Sequence, residues 1–579
     1  MMAGVTRRTF LHGVAGAAAA GGVRPLWTET DRQAVAGFAE TVTRDARLVW
    51  RRPPMDWTTA ACLGNGVSTV RVQRAAREDA LAFRFGDTAA WESAGPSLEL
   101  VLAGTPTAVD WELDLWDAEL TGTVTTTRGS VGLSALVHRD LGALLVSLSP
   151  GAGEEAAAWA PTAGVAWREH RIGTRRLLVA ATRPSAVTGA LAGTPDSLVV
   201  THRAWWHRFH SGAVLSIPDK TMQRFHRVQR YHAAVTPPSV PSPSGFTLPG
   251  TGSKSGPRTH PVLAGDLPGR WRNCRHDKEM LRDTVRPALR DTVDFYAEYL
   301  VEGADGRLHL PLTHSPEYAD VVDCTYDLSI LRWAIARLGE LDRPAPPRWA
   351  DLATRLVPYH TDASGVMIGA GVRLAESHRH ASHLLWLYPF REKVGLARRS
   401  FDHWTSMRSG WHGHSHVTAA TMAASLGCPD EALEHLRHFL GGTALLDTEL
   451  TPNALYRRGS VSDHTVPAAA GEALLEMVVR AGEDGPAAFP AIPASWRDVA
   501  VAGVPVPGAG TMDALRRDGR TEWVRITDDR STVETTGGAV VPGGGAGPPL
   551  ADVPGEPGAR RWGLPDPFVG RPTSTDRLS

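Results

Sequence analysis

Three short stretches hold the residue types whose spacing could do chemistry. Thr313-His314-Ser315-Pro316-Glu317-Tyr318 puts a carboxylate in a proline-led turn just ahead of a helix-like stretch. A carboxylate there is either a solvated cap or a general acid. His378-Arg379-His380-Ala381-Ser382-His383 and Ser409-Gly410-Trp411-His412-Gly413-His414-Ser415-His416 concentrate histidines beside an indole. Read as helical, His380 and His383 share a face, as do His412 and His416. Metal ligation, structural hydrogen bonding and a pocket for a hydroxyl-rich ligand are the three readings. The spacing is not HExxH and no carboxylate sits where a metalloprotease base would, so no metal is expected. The pocket reading makes His380, His383, Trp411 and His412 its lining, with Trp411 presenting an apolar ring face.

Other chemistries lack their signatures. There is no GxSxG elbow, no P-loop and no GxGxxG with a following acid. Leu63-Gly64-Asn65-Gly66 reads first as a turn and second as a functional loop. Cys62, Cys274, Cys324 and Cys428 lie far apart without metal-ligand spacing, so scattered core thiols are expected rather than a disulfide framework. The formal net charge of −1 argues against nucleic acid as a partner. Lysine occurs only at Lys220, Lys254, Lys278 and Lys393, a compositional bias toward arginine and not a binding patch.

The N-terminus reads as a targeting segment. Thr6-Arg7-Arg8-Thr9-Phe10-Leu11 precedes an Ala/Gly-rich apolar stretch, and no acidic residue appears before Glu29. Paired arginines before a weakly apolar run have the form of a twin-arginine signal. The expectation is a periplasmic or extracellular protein that meets the Tat export machinery and has no stable membrane association, since no later apolar run approaches a bilayer span.

The elements that must position these residues change period along the chain. Residues 29–218 read as a β-sandwich: Leu81–Phe85, Ser97–Leu102, Trp111–Trp116, Thr121–Thr127, Ala143–Leu148 and Arg176–Ala180 are short strand-like runs separated by turns. Residues 219–280 begin with helical spacing and pass into a Pro/Ser/Gly-rich irregular segment. Residues 281–485 return to helical spacing, with Pro287 kinking or restarting the first helix and further segments expected at 326–341, 347–358, 380–388, 394–408, 414–427, 430–440 and 467–481. Asp430 is expected to cap its helix. Residues 486–536 read as a small β-domain and 537–579 as a disordered tail. The fold class is thus multidomain α and β: N-terminal antiparallel β-sandwich, helical linker, an (α/α)6-type toroid whose helices are fewer than a full set, and C-terminal β-domain.

Taken in order, Leu63-Gly64-Asn65-Gly66, Ser315-Pro316-Glu317, Thr325-Tyr326-Asp327, His378–Leu384, Leu387-Tyr388-Pro389 and Glu476-Met477 resemble glycoside hydrolase family 95, a family of inverting α-L-fucosidases and α-L-galactosidases. The resemblance spans roughly residues 45 to 530, in patches, and the histidine run and Ser-Pro-Glu turn are its specific parts. It implies an oligosaccharide substrate, no cofactor, and Glu317 as the general acid, with a water-activating asparagine and aspartate opposite. The family's Asn-x-Asn is absent; Trp271-Arg272-Asn273 is the nearest remnant, followed by Cys274. Asp463 lies close to the place of the family's aspartate, although an ungapped match on Glu476-Met477 puts Thr465 there. The resemblance therefore makes Glu317, Asn273 and Asp463 the catalytic candidates. It leaves open a catalytically inert carbohydrate-binding relative that has lost its base. A deletion or a reading-frame change within 235–275 would account for the missing motif and the short helical region together.

Overall fold

The computed structural model describes residues 29–86, 95–236, 279, 281–316, 318–342, 346–441, 448–451, 453, 455–458, 461–463, 465–482, 485–506, 510–527 and 532–536. The targeting segment, the Pro/Ser/Gly-rich part of the linker with Asn273 and Cys274, Glu317 and the tail lie outside them.

Two antiparallel sheets fill the N-terminal part. The seven-stranded one runs, in spatial order, Leu48–Trp50, Pro106–Asp114, Glu119–Thr126, Ser130–Val137, Leu144–Pro150, Arg175–Ala181 and Ala166–Ile172. The five-stranded one runs Ala158–Pro161, Ser97–Val101, Ala80–Gly86, Thr69–Arg74 and Ala61–Gly64. Alternation decides which face is buried. In Pro106–Asp114 the side chains of Val109, Trp111 and Leu113 are buried while Asp110 and Glu112 face water. They meet Leu63, Val72, Phe83, Leu98 and Leu100 of the other sheet in one core.

Helices also occur where the sequence suggested strands alone. Helix α1 (Glu29–Asp45) precedes the sheets, and α2 (Pro184–Leu191) and α3 (Pro195–Ser211) follow their last strand. Thr194 and Ser197 form a reciprocal capping box with Pro195 in the first turn, and His202, Trp206 and His210 bury one i, i+4 stripe. The His-rich composition of that stripe hid its helical period.

Helix α4 (Lys220–Val235), capped by Asp219, connects the two halves. Its C-terminus enters the Leu63-Gly64-Asn65-Gly66 turn: Gly66 N–H and Arg139 Nη1 donate to the carbonyls of Val235 (3.3 Å) and Ala234 (2.9 Å). Gly64 is needed there because a Cβ would lie 2.5 Å from the Val235 carbonyl oxygen.

Beyond a π-turn at Leu281–Val285, α5 (Arg286–Tyr299) carries Pro287 in its first turn, the restart that the sequence suggested. Then come α6 (Thr325–Leu341), α7 (Pro347–Arg355), α8 (Ala397–Thr405), α9 (Gly413–Ser425), α10 (Pro429–Gly441) and α11 (Thr465–Val478). α5 packs on α6, α9 on α10 and α11, and α11 on α4. Asp430 stands inside the first turn of α10, not at its cap. The expected helix at 380–388 is absent; only Ser382–Leu384 makes a single 3-10 turn. His378 Nδ1 there lies 3.2 Å from the His380 carbonyl oxygen and 3.3 Å from its backbone nitrogen, a side-chain to backbone contact in place of helical bonding. The expected 467–481 helix ends at Val478, and Val479–Gly482 pairs with Gly485–Ala488 instead.

Val214–Ser216, Val499–Val506, Gly510–Arg517, Arg520–Thr527 and Thr532–Thr536 form a third antiparallel sheet, so the C-terminal strands pair with one from before the linker helix. Among the described residues Cys62, Cys324 and Cys428 are free thiols, and no helix is long and apolar enough to cross a membrane.

Candidate active site

The strands Thr313–Ser315 and Ala319–Val321 pair antiparallel, with Thr313 opposite Val321 and Ser315 opposite Ala319. Glu317, between Pro316 and Tyr318, lies outside the described residues. At the hairpin's root, Thr313 Oγ1 donates to Asp327 Oδ2 at 2.7 Å and Tyr296 Oη donates to Asp327 Oδ1 at 2.6 Å. Near its tip, the buried hydroxyls of Ser315 and Ser382 are 2.9 Å apart. Tyr318 Oη accepts the Ala375 backbone N–H at 2.8 Å, and its ring meets His378 edge-on at 5.4 Å. The Ser-Pro-Glu turn, the Thr-Tyr-Asp start of α6 and the histidine run, far apart in sequence, therefore converge.

The histidine run is a loop held from below. Trp404 Nε1 donates to the His378 carbonyl at 3.1 Å, and Ser415 Oγ donates to the Arg379 carbonyl at 2.8 Å. Ser415 is itself the third residue of α9, accepting the His412 N–H at 3.1 Å, so the α9 N-terminus fixes the loop. Arg379 Nε donates to His380 Nε2 at 3.2 Å. The rings of His380 and His414 lie 4.9 Å apart, and those of His412 and His414 5.9 Å apart. Half-buried His378, His380, His412 and His414 thus gather beside the hairpin, though on a loop and a helix start and not on two helix faces.

The other two expected lining residues are core. His383 is 1% exposed, and burial first, then nearby His403 and His378, pushes its pKa down to about 3. Trp411 is buried, its ring 4.4 Å from Trp404 and 5.2 Å from His416, with the Arg408 guanidinium 5.5 Å from its centroid. Trp411 closes the layer behind the loop instead of offering a free ring face.

For the water-activating pair the structure speaks indirectly. The chain has three asparagines, Asn65, Asn273 and Asn453. Asn65 Oδ1 accepts the N–H groups of Val67 (3.1 Å) and Ser68 (2.8 Å), and its amide donates to the Arg139 carbonyl. Asn453, 1% exposed, donates to the Ala60 carbonyl at 2.9 Å and accepts from Thr451 Oγ1. Both amides are engaged in holding the sheets, α4 and the 451–455 segment together, which leaves Asn273, outside the described residues. Asp463 ends the strand Val461–Asp463, opposite Tyr456; its backbone alone is described. Glu476 is ion-paired with Arg391 and Arg480. Among the described residues no three His, Cys, Asp or Glu side chains are grouped to hold a metal ion.

Sequence reasoning missed Ser382 as the bridge to the hairpin, and Asp323 below it. Asp323, at φ +54°, accepts from His309 Nδ1 (2.8 Å) and His360 Nε2 (2.9 Å) on one carboxylate oxygen and from the Leu310 N–H (2.9 Å) on the other. No periodic signal marks either residue.

Comparison with known proteins matches residues 272–461 to the glycosyl hydrolase family 95 catalytic domain. No curated protein matches the chain in a sequence comparison. Among solved structures, "Putative kojibiose phosphorylase from human microbiome" superposes with a TM-score of 0.51 at 9% identity, covering 83% of this chain and 93% of its own. A family GH92 α-mannosidase from Bacteroides thetaiotaomicron reaches a TM-score of 0.31 at 11% identity, over 81% of this chain and 73% of its own. The first likeness shows a shared fold. The family match over residues 272–461 includes the Ser-Pro-Glu turn and the histidine run, the specific parts of the resemblance to that family.

Proposed function

We propose that the protein is an exported glycoside hydrolase that cleaves α-L-fucosyl or related linkages with inversion and without a cofactor. The observation that carries this reading is the Ser315–Ser382 contact, which joins the turn bearing Glu317 to the histidine loop. Glu317 protonates the departing glycosidic oxygen; a carboxylic acid in a partly apolar pocket can hold its proton near neutral pH. His380 and His412 hydrogen-bond the sugar, with His383 and Trp411 backing them from the core. Asn273 and Asp463 activate water on the opposite face, which for inversion requires a separation of about 6.5–9.5 Å from the acid.

The layout that goes with this reading is a signal segment to residue 28, a β-sandwich over 29–218, a linker to 280, an incomplete (α/α)6-type toroid to 485, a β-domain to 536 and a tail. Arg7 and Arg8 direct export through the Tat machinery, and the substrate is an extracytoplasmic glycan.

A second reading, a catalytically inert carbohydrate-binding relative, is favoured by one observation: with Asn65 and Asn453 engaged elsewhere, the base rests on Asn273 alone. Purified mature protein incubated with a 2-linked fucosyl oligosaccharide separates the two. The hydrolase reading expects fucose release that Glu317→Gln abolishes and Asn273→Ala lowers by about 10²-fold or more. Retained sugar binding without release is the outcome of the inert relative.

A further inference from the structure

Asp327 is a buried carboxylate for which the proposed chemistry has no use. It stands in the first turn of α6, 2% exposed, and donors reach it from two other segments: Tyr296 of α5 and Thr313 of the hairpin. Among the described residues no cation forms an ion pair with it. Burial raises its pKa, and the hydrogen bonds from Tyr296 and Thr313 oppose that rise. A buried carboxylate without a counter-ion is an expensive way to dock a helix. Docking does not need it, since α6 already buries Leu328, Leu331, Ala334, Ile335 and Leu338.

What the carboxylate adds is a fixed point at the root of the hairpin. Thr313 and Val321 close that root, while Ser315 and Ser382 fix the hairpin nearer its turn. Held at both places, the hairpin has one register and one direction relative to the histidine loop.

We propose that Asp327 is a positioning residue for reaction at Glu317, acting through the Thr313 hydroxyl. The proposal rests on the reading of Glu317 as the acid. Reacting groups must be held to within fractions of an ångström, and a displacement of 1 Å costs about 10²-fold in rate. The Thr313 bond should therefore appear in kcat and not in sugar binding.

The full-length chain is tested with Thr313→Val, which removes the hydroxyl, Thr313→Ser, which keeps it, and Asp327→Asn. Measured are kcat and KM for fucose release, amide exchange at Thr313, Ser315, Ala319 and Val321, and the urea midpoint. Thr313→Val is expected to lower kcat about ten- to a hundredfold with KM within about twofold, and to speed exchange in the hairpin alone. Thr313→Ser is expected to restore both. The proposal is overturned if Thr313→Val leaves kcat and hairpin exchange unchanged, or if its loss follows the folded fraction and serine does no better. Should Asp327→Asn not fold, the two Thr313 variants still decide. A parent chain that releases no sugar would remove the acid reading; exchange would then decide alone, selective loosening supporting the anchor and unchanged exchange overturning it.

Discussion

In the paired N-terminal sheets, Val109, Trp111 and Leu113 face a shared apolar core while Asp110 and Glu112 face water. Around the Thr313–Val321 hairpin the deciding contacts are hydroxyl to hydroxyl and hydroxyl to carboxylate. The first arrangement is set by non-directional burial, so any apolar side chain of the right size serves. The second is directional, and each buried polar atom needs its own partner. Sheets built the first way tolerate variation in detail; a site built the second way is sensitive to single hydroxyls.

The sharpest contrast comes from the sheet core. Trp111→Ala removes a fully buried indole and is expected to destabilise the protein by about 3–5 kcal/mol, read as a fall in urea midpoint. Molecules that remain folded should keep the parental KM, because the side chain lies in the sheet core and not in the site cluster. A KM change without a midpoint change would break the separation.

At the junction between the regions the expected effect is smaller. Gly64→Ala places a Cβ 2.5 Å from the Val235 carbonyl oxygen, so either α4 or the turn must shift. A loss of about 1–3 kcal/mol is expected, with the Gly66 and Arg139 bonds to the end of α4 weakened. Wild-type stability would show that the turn is not the seat of α4.

The smallest effect per step is a pH dependence from the helical region. Burial holds His383 at about 3, His416 at about 4 and His435 at about 3, all below the 6.5 of an exposed imidazole. Below that value the unfolded chain takes up protons that the folded chain refuses. Stability is therefore full above pH 6.5 and declines as pH falls toward the folded values, by at most roughly 1.4 kcal/mol per pH unit for each histidine. Urea midpoints between about pH 7 and 5 should fall, and His383→Gln should flatten the slope. A midpoint that rises on acidification contradicts the assignment of these rings as neutral.

The same contrast explains what could be read from the sequence. The strand runs at 81–85, 97–102 and 111–116 were legible because alternation of apolar residues is itself the cause of the sheet. The helix α3 was not, because its buried stripe is His202, Trp206 and His210, two of the three polar. Around the site, the motifs Ser-Pro-Glu and His-Arg-His were visible as residue types, and the family match over 272–461 agrees with them. Their geometry was not legible: His380 and His383 looked like neighbours on a helix face, yet that segment is a loop with a single 3-10 turn and His383 lies in the core. Trp411 likewise reads as a stacking platform by type and is a core ring by place. Asp327 stood in a quoted motif, but the anchor proposed for it rests on the two segments that reach it.

The central claim is that the hairpin and the histidine loop form one inverting glycosidase site with Glu317 as its acid. Anomer-resolved NMR of the first sugar released from an α-L-fucosyl oligosaccharide, recorded before mutarotation, tests it most directly. The account predicts β-L-fucose from the parent protein and no release from Glu317→Gln. Release of the α-anomer, or undiminished release from Glu317→Gln, would contradict it.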